Sequence, residues 1–340
     1  MATNASFGAQ TGGLEVAETY ASNVKGKTIL ITGVSKDGIG EATARAFAHG
    51  GASLVIITGR DNGRLASITE TLAAEYPNTK TLPHKLDLNT LATSQQSAQA
   101  LLSNAAVPQI DILVANAGGT FGKSRSTTPD GLETHFGVNH VGHFVFINTL
   151  LPKLTKPTTH GATRIVVVSS LACLVSSVRF ADLNLEDKPV PEEEKPNWTI
   201  LKALINVDQH EGYDAEVAYG QSKTANVLFA VHLNRLYASK GIYTFALHPG
   251  AVQSRAAKAM LGKKTKEEID AMAIKFNKSI DQGAGTTLVA ALDPGLNPEN
   301  GVFLSDCQIF EQVPGYAVDA KLAEKLWNLS EEIVKEKLSG

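Results

Sequence analysis

The sequence predicts an α/β fold of the doubly wound kind: one domain on a parallel sheet of about seven strands, with helices on both faces. Two observations predict it. Short, β-branched apolar runs alternate along the chain with stretches long enough for helices, and the runs are apolar at successive positions, as strands buried on both faces must be. A glycine-rich turn also joins the first run to an alanine-rich stretch.

The first run is Thr28–Thr32 (TILIT), followed by the turn and by Glu41–His49. Ser53–Thr58 (SLVIIT) is the second and Thr81–Leu86 a weaker third. Ile110–Ala115 (IDILVA), Arg164–Val168 (RIVVV) and Ile242–Leu247 (IYTFAL) follow, with Gly301–Leu304 as a seventh. Regular alternation of this kind argues for one domain. It is placed at residues 25–335, after an N-terminal extension of residues 1–24, with rim insertions near 185–216 and 251–280. Leu185–Pro196 is acidic and proline-rich, which predicts a solvated loop. Lys263–Lys275 is charged, with apolar residues at helical spacing. Neither insertion separates domains, because strand–helix alternation resumes after each.

Composition narrows the classes. The chain has 340 residues, 43% hydrophobic and 19% charged, an ordinary folded balance. Net charge is −3 and no basic stripe occurs, which argues against nucleic acid or anionic membrane as partner. Two cysteines, Cys173 and Cys307, make neither a disulfide framework nor a metal site. The first residues hold no secretory core, and the longest apolar runs are too short to span a bilayer. These features predict a soluble, cytoplasmic protein.

The turn after the first strand reads Thr32-Gly33-Val34-Ser35-Lys36-Asp37-Gly38-Ile39-Gly40. Glycines there let backbone N–H groups approach a pyrophosphate, and the helix starting near Ile39 offers its positive end. By itself such a turn is weak evidence; its place between first strand and first helix gives it weight, and makes the arrangement a Rossmann one. The second strand ends in Thr58-Gly59-Arg60, where a carboxylate usually takes the ribose hydroxyls of NAD. Gly59 stands there instead, and Arg60 suits a 2′-phosphate, with Lys36 as a second charge. NADP(H) is therefore expected over NAD(H), although Asp61 could partly offset Arg60 and both cations could be ordinary solvated charges.

Tyr219 and Lys223 are spaced i, i+4 at the start of a strongly helical segment, so they share a face. A phenol titrates near 10, and an adjacent ammonium lowers that value, which suits the pair to general acid–base work. Alone, such a pair would be read as helix surface. It is accompanied by Ser169-Ser170 at the end of the fifth strand, by Asn116-Ala117-Gly118 at the end of the fourth, and by Asn139 in the next helix. The carboxyl edge of an open α/β sheet is where ligands bind. Ser170 would hold a substrate oxygen beside the phenol, and Asn139 would support an ordered water linking Lys223 to solvent.

With these residues in view, the chain resembles the short-chain dehydrogenase/reductase family from about Lys25 to Ile333. The counterparts are the turn Thr32–Gly40, Asn116–Gly118, Asn139, Ser170, Tyr219 with Lys223, and Pro249-Gly250 after the sixth strand. VNHVGHF, RIVVVSSLA, SKTANVLFA and ALHPGAV are similar to the retinol-dehydrogenase-like and WW-domain-oxidoreductase-like branch, including its fungal members. The resemblance implies a nicotinamide cofactor held by Gly33, Ser35, Lys36, Gly38, Ile39, Gly40 and Arg60, by Asp87 and Leu88 at the adenine, by Asn116, Ala117 and Gly118, by Tyr219 and Lys223, and by Pro249, Gly250 and Val252. It implies catalysis by Asn139, Ser170, Tyr219 and Lys223 on a mid-sized, largely apolar carbonyl or alcohol, and a homo-oligomer through the helices of Asn139 and Tyr219 unless the insertions block it. There are two departures. Four residues, Val34 to Asp37, separate the first two glycines where the family usually has three, and Tyr219 lies 49 positions beyond Ser170, longer than in short members. Glu186–Glu216 is the excess.

His135, His140 and His143 lie close together but lack acidic or cysteine partners at metal spacing, so they are read as packed imidazoles. Two other classes stay open: an NADP(H)-sensing regulator, and a biosynthetic enzyme using the site for a non-redox or multi-step reaction.

Overall fold

The structure is a computed structural model that describes residues 4–155, 162–255, 257, 258, 262, 265 and 276–339. Most of the second insertion, including nearly all of Lys263–Lys275, lies outside the described residues.

Two short helices, α1 (Gly13–Thr19) and α2 (Ala21–Val24), precede β1 (Thr28–Ile31). Then follow α3 (Ile39–His49), β2 (Leu54–Gly59), α4 (Asn62–Glu75), β3 (Lys80–Lys85), α5 (Leu91–Ser103) and β4 (Ile112–Ala115). A π-helical turn, Gly137–Val141, leads into α6 (Gly142–Leu154) and β5 (Thr163–Val168). After α7 (Trp198–Ile205) and α8 (Ala215–Tyr237) come β6 (Ile242–His248), α9 (Ile280–Leu292), β7 (Phe303–Ser305), β8 (Gln308–Ile309) and α10 (Ala320–Leu338).

The sheet order is β3-β2-β1-β4-β5-β6-β7-β8, parallel except for the last pair. The predicted seven strands are present, and β8 adds a two-residue antiparallel edge. The order reverses between β1 and β4, the switch point at which such sheets form a crevice.

Side chains alternate between the sheet faces, so each strand feeds two cores. Ile29, Ile31, Val55, Ile57, Val114 and Val166 pack with Phe47 of α3 and Leu288 of α9. Leu30, Ile56, Leu113, Ile165 and Val167 pack with Phe146 and Ile147 of α6 and Leu233 of α8. This is why the strands read as unbroken apolar runs.

Within residues 4–24, expected as part of an N-terminal extension, Phe7, Val16, Ala17 and Val24 belong to the first core. Val16, Ala17 and Val24 are wholly buried, and Gly13 lies so close to α9 that a Cβ there would stand 3.0 Å from that of Ala284. The Leu14 N–H donates to Asp281 at 3.1 Å, and Gln282 donates to the Gln10 carbonyl at 3.1 Å.

In the first insertion, Leu185–Pro196 is largely exposed as expected, except that Leu185 and Glu194 are buried. Farther on, Leu201 of α7 packs with Val175, Leu185, Val217 and Ala218, a satellite core that braces the start of α8. At the far end of the chain, Trp327 of α10 stacks on Phe229 and meets Phe144. The chain's own last helix thus packs along α8 and touches α6 at Phe144. No helix among the described residues is long and apolar enough to cross a membrane.

Candidate active site

The glycine turn absorbs its extra residue locally. Asp37 takes a left-handed conformation with φ 57°, its N–H donates to Glu41 at 2.7 Å, and the Gly38 N–H closes on the Ser35 carbonyl at 3.0 Å. Gly33 has φ 70°, and a Cβ there would stand 2.5 Å from Ala117 Cα. A Cβ at Gly40 would stand 2.8 Å from Asn116 Nδ2. Asn116 secures this approach by donating to the Thr32 and Gly33 carbonyls at 2.9 and 3.1 Å. The α3 N-cap, Gly38, makes no side-chain cap bond, so the helix presents its positive end to the turn, beside Ser35, Lys36 and Ile39.

Arg60 is exposed just beyond β2. Asp61, which could have offset it, caps α4 by accepting the Arg64 N–H at 3.0 Å. Parallel pairing sets Gly59 against Lys85, which brings Asp87 and buried Leu88 to the same edge as Arg60. At the end of β6, Gly250 has φ 95°, and the Lys278 side chain runs past it to Asp306, with Nζ 2.5 Å from the carboxylate. Val252 is buried against Gly283, which Ile39 also approaches, so this ledge and the start of α3 meet at one point. Pro249 is half-buried between them.

Asn139, Ser170, Tyr219 and Lys223 form one cluster. The Ser170 hydroxyl lies near enough to the Tyr219 hydroxyl to favour its ionised form. A Cβ on Gly118 would stand 2.7 Å from Asn139 Oδ1 and 3.6 Å from Lys223 Nζ. The Asn139 side chain grips Gly119 from both sides, accepting its N–H and donating to its carbonyl, each at 3.1 Å, and donates to Ser222 Oγ at 3.0 Å. The side-chain amide of Asn139 is thus committed to holding the loop. The π turn is what places Asn139 so, and such turns recur at functional sites.

The expected lowering of the Tyr219 phenol by Lys223 is corrected. Burial pushes Tyr219 up to about 12, with the neighbouring Ser170 hydroxyl pulling the other way. Burial pushes Lys223 down to about 8. Lys223 is buried beside the half-buried Tyr219, and its ammonium donates to the Val168 carbonyl at 3.1 Å and lies over the Tyr219 ring, 5.4 Å from its centroid.

A family model for short chain dehydrogenases matches residues 27–182. The chain is 34% identical over 316 residues to retinol dehydrogenase 12 of Mus musculus, covering 92% of this chain and 87% of the relative. It is 33% identical over 315 residues to the human WW domain-containing oxidoreductase, covering 93% and 70%. The chain belongs to the short-chain dehydrogenase/reductase family. Its branch is that of the retinol dehydrogenases and the WW domain-containing oxidoreductase, and it is an enzyme acting on CH–OH or C=O groups. Among solved structures, an uncharacterized protein from Mycobacterium paratuberculosis aligns with TM-score 0.63 and 29% identity, over 93% of this chain and 97% of that one.

Several supporting residues of this short-chain dehydrogenase/reductase site escaped the sequence reading. Thr32 Oγ1 accepts the Ala117 N–H and pairs with His143 Nε2, both at 2.9 Å, while His143 Nδ1 meets the Asn139 carbonyl at 3.1 Å. Burial pushes His143 down to about 4, so the ring is neutral and can bridge donor and acceptor. Ser169 Oγ donates to the Lys223 carbonyl at 2.7 Å, and His248 Nδ1 accepts the Leu171 N–H at 3.3 Å. The i, i+4 spacing of Asn139 and His143 was the available signal.

Proposed function

We propose that the chain is an NADP(H)-dependent oxidoreductase interconverting a ketone or aldehyde with its alcohol, on a mid-sized and largely apolar substrate. The observation that carries this reading is the Ser170–Tyr219 hydroxyl pair beside Lys223, opposite a glycine cradle at the same sheet edge. The residues present fit a dinucleotide. A Cβ at Gly33 or Gly40 would force apart the loops that shape the cradle, the end of α3 faces it, and Gly59 stands before Arg60 where a carboxylate would oppose a 2′-phosphate.

When bound, the cofactor supplies or accepts the hydride. Ser170 and Tyr219 would both donate to the carbonyl oxygen, where negative charge develops. With its phenol near 12, Tyr219 is protonated throughout the working range and would hand its proton to that oxygen. Lys223 would hold the ribose hydroxyls, Asn139 fixes the loop of Gly118 and Gly119, and Pro249, Gly250 and Val252 would bear on the nicotinamide. The relatives named for retinol oxidation favour an apolar substrate, and with NADPH the favoured direction is reduction.

A screen of carbonyls and alcohols against NADPH and NADP tests this, with product measured against cofactor consumed. Absence of net NADPH consumption on every carbonyl would overturn it. Arg60→Ala is expected to raise the KM for NADPH roughly ten- to hundredfold while leaving that for NADH nearly unchanged. Equal losses for both cofactors would show that Arg60 does not read the 2′-phosphate.

The pH dependence follows from Lys223. Its ammonium is present below about 8 and is lost as pH rises through that value, whereas the Tyr219 proton persists to about 12. Carbonyl reduction is therefore expected to be level below about pH 8 and to decline above it. Because a guanidinium keeps its charge, Lys223→Arg should move the decline upward. A decline at the parent's pH in that variant would assign it to another group.

A further inference from the structure

Behind Tyr219 lies a buried carboxylate–imidazole pair with no part in the chemistry above. Glu133 and His135 are both 0% exposed. Glu133 Oε2 accepts the Phe136 N–H at 3.0 Å. Its Oε1 faces His135 Nδ1 at 2.8 Å and accepts the Tyr213 hydroxyl at 3.1 Å. His135 Nε2 accepts the Phe121 N–H at 2.9 Å, so the ring proton sits on Nδ1 and is donated to Glu133. Burial pushes the Glu133 carboxyl up, but the His135 ring and the neighbouring N–H groups outweigh it and hold it below the usual range. An ionised group this deep is tolerated only when its oxygens are supplied with donors, and here three donors supply it.

The pair ties together segments far apart in sequence. Tyr213 comes from the inserted stretch before α8. Phe121 sits in the glycine-rich loop after β4, which is neither strand nor helix from Asn116 to Ser126. That loop is gripped at Gly119 by Asn139 and at Phe121 by His135. The Phe121 ring meets the His135 ring edge-on at 5.4 Å, and on the other side the Tyr219 ring lies 6.2 Å away. Phe121 and Tyr219 are half-buried while His135 is fully covered, so the imidazole is the floor between two partly open aromatic rings.

We propose that Glu133, His135 and Tyr213 form a positioning relay that sets Phe121 against Tyr219, and that this aromatic wall determines which apolar carbonyl substrates the enzyme accepts. The relay couples the inserted segment to the pocket, which gives that segment a task in specificity. The proposal rests on Tyr219 being the reactive end of the site. None of its members touches the reacting atoms.

The test compares decanal with propanal, and measures amide hydrogen exchange at Phe121, in the parent, His135→Gln and Tyr213→Phe. In His135→Gln, the decanal-to-propanal ratio of kcat/KM is expected to fall about tenfold, carried by the KM for decanal. Exchange at Phe121 should quicken by a similar factor while the β1 amides stay protected. Tyr213→Phe, which removes one hydroxyl and keeps the ring, should shift both readouts in the same direction by less. Equal losses for the two aldehydes, or unchanged protection at Phe121, would overturn the relay. If the parent reduced neither aldehyde, the pair would be replaced by a long and a short carbonyl from the substrate screen, whose complete failure would refute the proposed function, and the exchange at Phe121 would still decide whether the relay positions the loop.

Discussion

In Tyr219→Phe, carbonyl reduction is expected to fall by about 10³-fold, in line with the loss of a positioned general acid, while NADPH affinity stays near that of the parent. The substitution removes one oxygen. The ring keeps its place beside His135 and under the Lys223 ammonium, so the pocket walls and the cradle at Gly33 are undisturbed. What disappears is the proton donor beside Ser170. Ser170 still donates to the carbonyl oxygen, which leaves residual turnover, and Ser170→Ala should cost less because the proton source survives. The check is kcat with NADPH in both variants, beside a direct titration of cofactor binding. Full turnover in Tyr219→Phe would place the acid elsewhere. If NADPH binding fell as far as kcat did, the loss would be one of cofactor binding and not of proton transfer.

Most of the framework behind that expectation is legible in the sequence, for a physical reason. Parallel strands buried on both faces are apolar at every position, so Ile29 to Ile31 and Val55 to Ile57 announce themselves, and the residue that follows each run falls at the carboxyl edge. Gly33, Arg60, Asn116, Ser170 and Pro249 all follow strands and could be placed by that rule. What stays hidden depends on tertiary packing. Residues 13–24 join the core through Val16, Ala17 and Val24, isolated positions that make no apolar run in the sequence. Strand β8 has two residues and no pattern of its own. The electrostatics of Tyr219 and Lys223 are not legible because spacing reveals that two groups are neighbours but not how far burial acts on each, and here burial is the largest cause of both shifts. His135 looked idle because its acid, Glu133, stands only two positions away, a spacing that does not face on a helix; the cap geometry of Glu133 brings them together.

The glycine turn supplies the second large effect. Gly33→Val is expected to lower stability by about 3 kcal/mol, from left-handed backbone strain in a β-branched residue together with overpacking, and to abolish measurable NADPH binding. The strain arises because Gly33 holds φ 70°. The overpacking arises because the new Cβ meets Ala117 Cα at 2.5 Å, backbone against backbone, with no flexible side chain to yield. Relief requires the β1 and β4 loops to part. That would break the Asn116 bonds to Thr32 and Gly33 and the Ala117 bond to Thr32, and would shift Gly118 from its seat between Asn139 and Lys223. One methyl-bearing residue would thus disturb the cofactor cradle and the catalytic cluster together. Gly40→Ala should be milder, since Asn116 Nδ2, 2.8 Å away, belongs to a side chain, although the Gly33 carbonyl at 3.0 Å still crowds it. Gly119→Ala, with nothing within 4 Å of its Cβ, should leave stability unchanged. Thermal midpoints and NADPH titrations across the three variants give the order Gly33, Gly40, Gly119. Parent-like cofactor affinity in Gly33→Val would mean that the close approach of the two loops is not what shapes the cradle.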